Sequence, residues 1–505
     1  MRLNKFLVFL GIGFEKIANR ERIRLDIDKN KSPKKNIFYL FSYKNIIFTY
    51  IGFFAIVINL NFLIKYLSSK TNTVTPPFWP ISVFYPILPS INAIFLSILS
   101  ILIFYLFIRF FKQKILYVII AAICLILISN VLHGTTVGLN TPVLGEETFT
   151  IFNNKKIIIN NWSGINYTFP NYVNDSGQQV YHSAMKVSDP ILHLKSFNTN
   201  HKQLLMHERT HPPGYALVIY FLLQITKNSA IISILILIIS VALSAIFLNG
   251  IISYYWKEKN FSLYLTLLFF LLPSVAIYYC ATVDAIVCTL FLGIIYFFIY
   301  PQRLISVVGS SILLFLCSSI SFIAPFFCIG TIFFISIVKK SLLKKFFLIL
   351  IILIINCFIV KIALNFDYFL AFKTASAIEY PKGSMLINDP WNYVYTRIEV
   401  ILELLLFYGP LMIFLTVLGI KEIFKKKIEY LIPFILSAIL IVIAIFISMM
   451  RTGESARIAL FLYPILLLLA GIYIKNNLTI SEKKIILYAL YLQTIGMQLF
   501  ACYIW

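Results

Sequence analysis

Charge is what this chain has least of. Asp, Glu, Lys and Arg make up 12% of its 505 residues, where a soluble domain carries about a quarter. A composition 60% hydrophobic leaves too little polar surface to coat a soluble fold, and that class is excluded. Acidic residues are scarcer still, 20 against 43 Lys and Arg, for a formal charge of +23. In a soluble protein such an excess would point to nucleic acid. Here the basic residues cluster in short connectors between apolar runs, which is how membrane topology is written rather than a DNA-binding surface. Cysteine is missing from the longest polar stretch: all seven, at 124, 280, 288, 317, 328, 357 and 502, lie within or at the edge of apolar segments. That excludes a disulfide framework. The opening MRLNKFLVFLGIGF has no A-x-A-like end and runs into the basic stretch Lys16 to Lys44, so it reads as a cytoplasmic segment rather than a cleaved signal peptide. No internal repeat or inverted pair of halves is visible, which argues against a secondary transporter.

What the chain has is apolar runs, near 46–66, 88–111, 115–133, 213–227, 229–253, 260–280, 283–300, 303–319, 320–338, 345–365, 397–420, 430–450, 458–475 and 484–504. Most are long enough to cross a ~30 Å hydrocarbon layer. The expected fold is an all-α polytopic membrane protein with about 13–14 transmembrane helices. Basic connectors at Arg109–Lys114, Lys339–Lys345, Lys425–Lys427 and Lys483–Lys484 mark the cytoplasmic side. The polar regions 67–87, 134–212, 366–396 and 451–457 are then exterior. One connector resists the count: Lys257–Lys259 belongs inside by charge but outside if 213–227 and 229–253 both cross. A half-helix or re-entrant segment there would resolve it. The expected organisation is a basic cytoplasmic segment 1–45, helices over 46–133, an exterior loop domain 134–212, and a bundle 213–505 with a second exterior loop, 366–396.

Chemistry concentrates in the early loop. All six histidines of the chain, His133, His182, His193, His201, His207 and His211, fall in it or at its edge. Imidazoles suit metals, but no closely spaced pair on one helical face stands out, so a divalent metal is possible and not favoured. The most specific string is His207-Glu208-Arg209-Thr210-His211-Pro212-Pro213-Gly214-Tyr215, running into an apolar helix. Proline suits a helix start, lacking the donor that would go unpaired there. The charged and imidazole groups packed before it are suited to a phosphate or a developing negative charge.

With Asp175, Tyr181-His182-Ser183-Ala184 and Asp189-Pro190-Ile191-Leu192-His193 ahead of it, this string resembles the GT-C class of membrane glycosyltransferases that use polyprenyl-phosphate sugars, such as protein O-mannosyltransferases and aminoarabinose transferases of lipid A. The resemblance covers about 160 residues, through Pro273 to Asp284. It implies a sugar donor linked to polyprenyl phosphate, a lipid, glycan or protein acceptor, no required cofactor, no nucleic acid, membrane lipids as partners, and residence in the plasma (inner) membrane with a cytoplasmic N-terminus. It also implies a catalytic carboxylate in the loop. Asp175 is the first candidate, with Glu146 and Glu147, nearer the preceding helix, competing. The chain departs from the family in lacking the acidic pair just after the first helix and in the two apolar runs before the loop.

Asp284 stands on physical grounds too, since a carboxylate between apolar runs faces a watery cavity or a partner, or else caps the helix that follows. Arg451, Glu454 and Arg457 form an exterior connector. Arg457 either pairs with Glu454 at i,i+3 or, with Arg451, offers a planar fork to a donor phosphate. Arg397, Glu399 and Glu403 are candidates to line the same cavity, and Trp391 and Tyr393 read as interface anchors. The expected site thus combines Asp175, Glu146 or Glu147 as base with Arg209, His207, His211, Asp284, Arg451, Glu454 and Arg457 on substrate. The alternatives are an O-antigen polymerase or ligase, whose large loop usually comes late, and a flippase or transporter, which predicts charges scattered through many helices.

Overall fold

The computed structural model describes residues 48–56, 59, 85–86, 88–144, 159–160, 166–167, 180–204, 206–379, 383, 385–447 and 455–502. Two antiparallel ladders of two residues per strand, β1 (Tyr85–Pro86) with β4 (Ala501–Cys502) and β2 (Ile159–Asn160) with β3 (Asn166–Tyr167), interrupt an otherwise helical chain. Helices α1 (Ile91–Arg109) and α2 (Ile115–Asn130) precede the early loop, which holds α3 (Val180–Lys186), α4 (Pro190–Asn200) and α5 (Met206–Thr210). The bundle continues through α6 (Gly214–Ile225), α7 (Ser229–Trp256), α8 (Lys259–Leu271), α9 (Pro273–Tyr278), α10 (Val283–Ile299), α11 (Arg303–Ile320), α12 (Ala324–Val338) and α13 (Leu343–Leu364). After α14 (Tyr368–Glu379) in the second polar segment come α15 (Pro390–Tyr408), α16 (Pro410–Lys426), α17 (Ile432–Phe446), α18 (Ser455–Ile458), α19 (Leu462–Asn477) and α20 (Ile480–Phe500).

By length and composition, five stretches among the described residues cross a membrane: α1, α7, α11, α13 with its leading turn, and α17 with its leading turn. A sixth counts if α15 and α16, bent by 93°, form one broken span. The chain is an all-α polytopic membrane protein with fewer full-length apolar helices than apolar runs. The physical reasons are local. Pro273 cannot donate to the preceding turn, so the run 260–280 breaks into α8 and α9. The 12 residues of α6 reach only about 18 Å, short of the hydrocarbon thickness. The 28-residue α7 extends about 42 Å and is long and apolar enough to cross on its own.

The ends of the helices are cut by side-chain chemistry. Asn228 opens α7 by accepting from the Ala230 and Ile231 amides at 3.0 and 3.3 Å, and Lys257 closes it in a left-handed turn at φ 54°. Thr479 and Glu482 form a reciprocal capping box on α20. At the α15–α16 bend Gly409 adopts φ +91°, a conformation that costs glycine little. Gly419 lets α16 meet α19 so closely that a β-carbon there would stand 2.0 Å from the Leu469 carbonyl oxygen, the small-residue contact typical of membrane helices. In the middle of the bundle the Ser244 hydroxyl pairs with those of Tyr279 (3.1 Å) and Thr289 (2.8 Å).

Contacts sort the connectors onto two ends. At one end Lys339 Nζ reaches the Tyr254 hydroxyl (2.9 Å), Lys345 the Tyr300 carbonyl (2.9 Å) and Lys475 the Glu258 carboxylate (3.2 Å), while Tyr264 donates to the Lys483 carbonyl (2.9 Å). At the other, the described parts of all four polar regions meet. β1 pairs with β4, His133 Nε2 meets the carbonyls of Gln498 and Leu499 (3.0 and 3.1 Å), and Asn198 and Asp367 exchange two hydrogen bonds (3.1 and 2.9 Å). A second, smaller core of Phe197, Phe322, Phe366, Ala371 and Ala375 glues α4 and α14 to that end.

Candidate functional site

Asp284 occupies the first turn of α10, but it does not cap it. Thr282 does, accepting from the Ala285 amide at 3.3 Å. The Asp284 carboxylate is thereby left for Arg457, whose Nε lies 3.1 Å from Oδ2, with side-chain exposures of 18% and 8%. This pair joins residues 173 positions apart in a low-dielectric rim, where charges interact far more strongly than in water.

The turn that carries Arg457 is held by a second carboxylate. Its helix α18 is four residues long and cannot satisfy its own first amides. Glu403, fully buried on α15, accepts from the Ser455 and Ala456 amides at 3.3 and 3.0 Å. One turn earlier on α15, Glu399 is also buried. Arg397 donates to the Ile445 carbonyl and lies 5.6 Å over the Tyr393 ring, while Tyr393 donates to the Phe446 carbonyl. Cations and donors suit the carbonyl end of a helix, so α17 is closed by α15. Arg397 is therefore an interior residue, and Tyr393 a helix closer rather than an interface anchor. Trp391, 65% exposed, keeps the character of an interface anchor.

Thr282 also lines a pocket shared by Asn130, His133, Tyr278 and Gln498, with no Asp, Glu, Lys or Arg in its lining. Irregular backbone adjoins the pocket: the π-helical turn Thr136–Asn140, whose Val137 and Gly138 line it, and Ala281, at φ +73° between the lining residues Cys280 and Thr282. Such outliers persist where surroundings over-determine them, often at functional sites. Asn130 is used, donating to the Ala276 carbonyl at 2.7 Å. The buried Nε2 of Gln498 has no hydrogen-bond partner among the described residues.

The cap above has its own buried polar cluster. His193 Nε2 lies 3.4 Å from the Glu208 carboxylate, linking α4 to α5. Burial holds the Glu208 carboxyl above its ordinary range, opposed by Ser183 and Lys186, and burial lowers His193. His201 Nε2 meets the Arg209 carbonyl at 2.7 Å, and its ring lies 4.9 Å from Phe197. His211 stacks on Tyr215 at 4.3 Å and its Nδ1 lies 3.2 Å from the Thr210 hydroxyl.

Of the residues expected from sequence, Asp284 and Arg457 come together. Arg209 and His211 instead make these contacts inside the cap. His207 lies on α5, its side chain outside the described residues, as are Asp175, Glu146, Glu147, Arg451 and Glu454. Arg457 on α18 pairs with Asp284 on α10; Glu454, its other expected partner, lies outside the described residues. Three helices, α3, α4 and α5, are described in the cap. The pocket at Asn130 and Gln498 escaped sequence reading, whose only signal for it is a pair of amides placed near the ends of apolar runs. Among the described residues no group of three or more His, Cys, Asp or Glu is arranged to hold a metal.

No family model, curated protein or solved structure matches the chain.

Chemically, the site offers a buried guanidinium at the aqueous rim of a membrane bundle, a carboxylate beside it, and a neutral hydrogen-bonding pocket adjoining through Thr282. A guanidinium fork suits phosphate oxygens. The uncharged amide and hydroxyl groups suit an alcohol or amide.

Proposed function

We propose that the chain is a multi-pass membrane glycosyltransferase of GT-C type, moving a sugar from a polyprenyl-phosphate donor to an acceptor at the bundle end away from the basic connectors. By the retention of Lys and Arg on the cytoplasmic face, that end is exterior and the N-terminus cytoplasmic, in the plasma membrane. The observation that carries the reading is the Asp284–Arg457 pair at 3.1 Å, its turn braced by Glu403.

In this reading a loop carboxylate, Asp175 or else Glu146 or Glu147, takes the proton of an acceptor hydroxyl. The hydroxyl oxygen bonds to the anomeric carbon, and the bond from that carbon to the phosphate oxygen breaks. The electron pair leaves with polyprenyl phosphate. Arg457 meets the charge growing on that phosphate, a stabilisation worth most where water is excluded. Asp284 holds the guanidinium in place between turnovers and shares it during them. Arg209, His207 and His211 serve the approach of donor and acceptor, Arg451 and Glu454 of the connector that leads to Arg457 serve the donor, and the Gln498 pocket receives the acceptor's polar group. No divalent metal is required by this scheme.

Membranes holding the protein are incubated with radiolabelled polyprenyl-phosphate sugars, and label is followed into lipid, glycan and protein fractions. Transfer into one fraction is expected. Retention of all label on the donor, with the protein present and folded, contradicts the proposal.

A further inference from the structure

Two cap helices far apart in sequence carry the same pattern. Asp189-Pro190-Ile191-Leu192-His193-Leu194-Lys195 opens α4, and Asp367-Tyr368-Phe369-Leu370-Ala371-Phe372-Lys373 opens α14. Both read acidic cap, any residue, two large apolar residues, any residue, large apolar residue, lysine. The correspondence is structural as well. Asp189 accepts from the Ile191 amide at 2.8 Å and Asp367 from the Leu370 amide at 3.0 Å. The inner faces of the two helices are bound together by the Asn198–Asp367 exchange and by Phe197 against Phe366, ring centroids 5.6 Å apart.

Their outer faces are then left with the residues a soluble surface avoids. Ile191 and Leu192 are 55% and 59% exposed, Phe369 and Leu370 73% and 50%. Lys195 and Lys373, four residues beyond Ile191 and Phe369, share those faces and are exposed too. Paired apolar side chains rimmed by lysine are the composition of helices that lie in a lipid headgroup layer. The location agrees. Exposed Phe358, Ile359 and Ile362 of α13 lead directly toward α14, and Lys361 of α13 is bonded to Asp367 at 2.7 Å. Along its spanning window α13 is only 6% buried, so the lipid-facing surface continues without a break from the bundle to the cap.

We propose that α4 and α14 form a two-helix lipid platform that inserts Ile191, Leu192, Phe369 and Leu370 at the boundary of headgroups and acyl chains and selects anionic headgroups through Lys195 and Lys373. The platform rests on the membrane placement of the bundle alone and not on sugar transfer. Each lysine near an anionic surface contributes about fivefold in affinity.

The test uses the full chain on a background lacking its native cysteines, with Leu192→Cys, Phe369→Cys or Asn200→Cys carrying an environment-sensitive fluorophore. The protein is reconstituted in phosphatidylcholine, alone or mixed with phosphatidylglycerol, containing headgroup-proximal or mid-chain doxyl lipid. Positions 192 and 369 should be quenched most by the headgroup-proximal probe, and position 200 by aqueous iodide. In parallel, the phosphatidylglycerol retained per protein after purification should fall about fivefold for each of Lys195→Ala and Lys373→Ala. Iodide quenching at 192 and 369 overturns the platform. Shielding of both from iodide and doxyl lipid alike also overturns it, and assigns the face to a protein partner. Unchanged phosphatidylglycerol retention in the lysine variants overturns the anionic selectivity.

Discussion

Glu403 shows how a single carboxylate organises a site it does not enter. With no exposed surface it accepts from two amides that α18 cannot satisfy for itself, so Glu403→Ala strands two buried donors. Each such loss costs roughly 1–3 kcal/mol, and the Arg457-bearing turn loses its anchor. Thermal unfolding of the purified variant should drop clearly, and Glu403→Gln, which keeps one acceptor, should recover part of the loss; equal stability of Glu403→Ala and wild type would remove Glu403 as the brace. The cap histidines give a pH response with a definite sign. Burial lowers His193 and His201 below their ordinary 6.5, so below that value the unfolded cap binds more protons than the folded one. Their contribution is intact above 6.5 and is lost as pH falls below it. Burial raises Glu208 above 4.5, and its contribution runs the other way, present below 4.5 and lost as pH rises through its folded value. Two groups oppose one, so acidifying from about pH 7 to about pH 5 should speed limited proteolysis between α3 and α5. A double His193→Gln, His201→Gln variant should lose most of that acceleration. Cleavage that does not quicken on acidification in the wild type would mean the imidazoles do not govern the cap.

At the level of elements, close approach is what the bundle depends on at α16 and α19. A β-carbon on Gly419 meets a backbone carbonyl at 2.0 Å, and no rotamer change moves backbone aside. Gly419→Ala must push the helices apart, at about 1–3 kcal/mol, visible as a lowered unfolding midpoint in detergent with the far-ultraviolet helix signal retained. A midpoint equal to wild type would mean the contact is not sustained. Much at this scale was readable in advance. The described apolar runs became helices, and Pro212-Pro213 stands just ahead of α6. What could not be read were breaks set by tertiary packing: the bend at Gly409, and the shortness of α6, whose apolar run looks the same whether it crosses the membrane or leans on the cap. Asp284 and Arg457 were both legible as candidates because charges near apolar runs are costly. Their pairing was not, since it depends on how α18 meets α10, and hydropathy carries no register between distant helices.

For the whole molecule, the separation of basic connectors from polar loops gives an orientation. Impermeant thiol labelling in intact cells, on a background lacking native cysteines, should modify a cysteine at 195 and spare one at 427. The reverse would invert the topology and place the proposed site in the cytoplasm. The pocket and the ion pair occupy one end because α8 and α9 return the chain that α7 carries away, bringing residues 140, 229 and 284 to the same end. The most direct measurement is the initial rate of sugar transfer in membranes holding matched amounts of wild type and Arg457→Ala. If the guanidinium bears the charge leaving with polyprenyl phosphate, the rate falls by about 100-fold or more while helix content and protein level are kept, and Arg457→Lys recovers only part of it. Transfer by Arg457→Ala at the wild-type rate would contradict the assignment of the site.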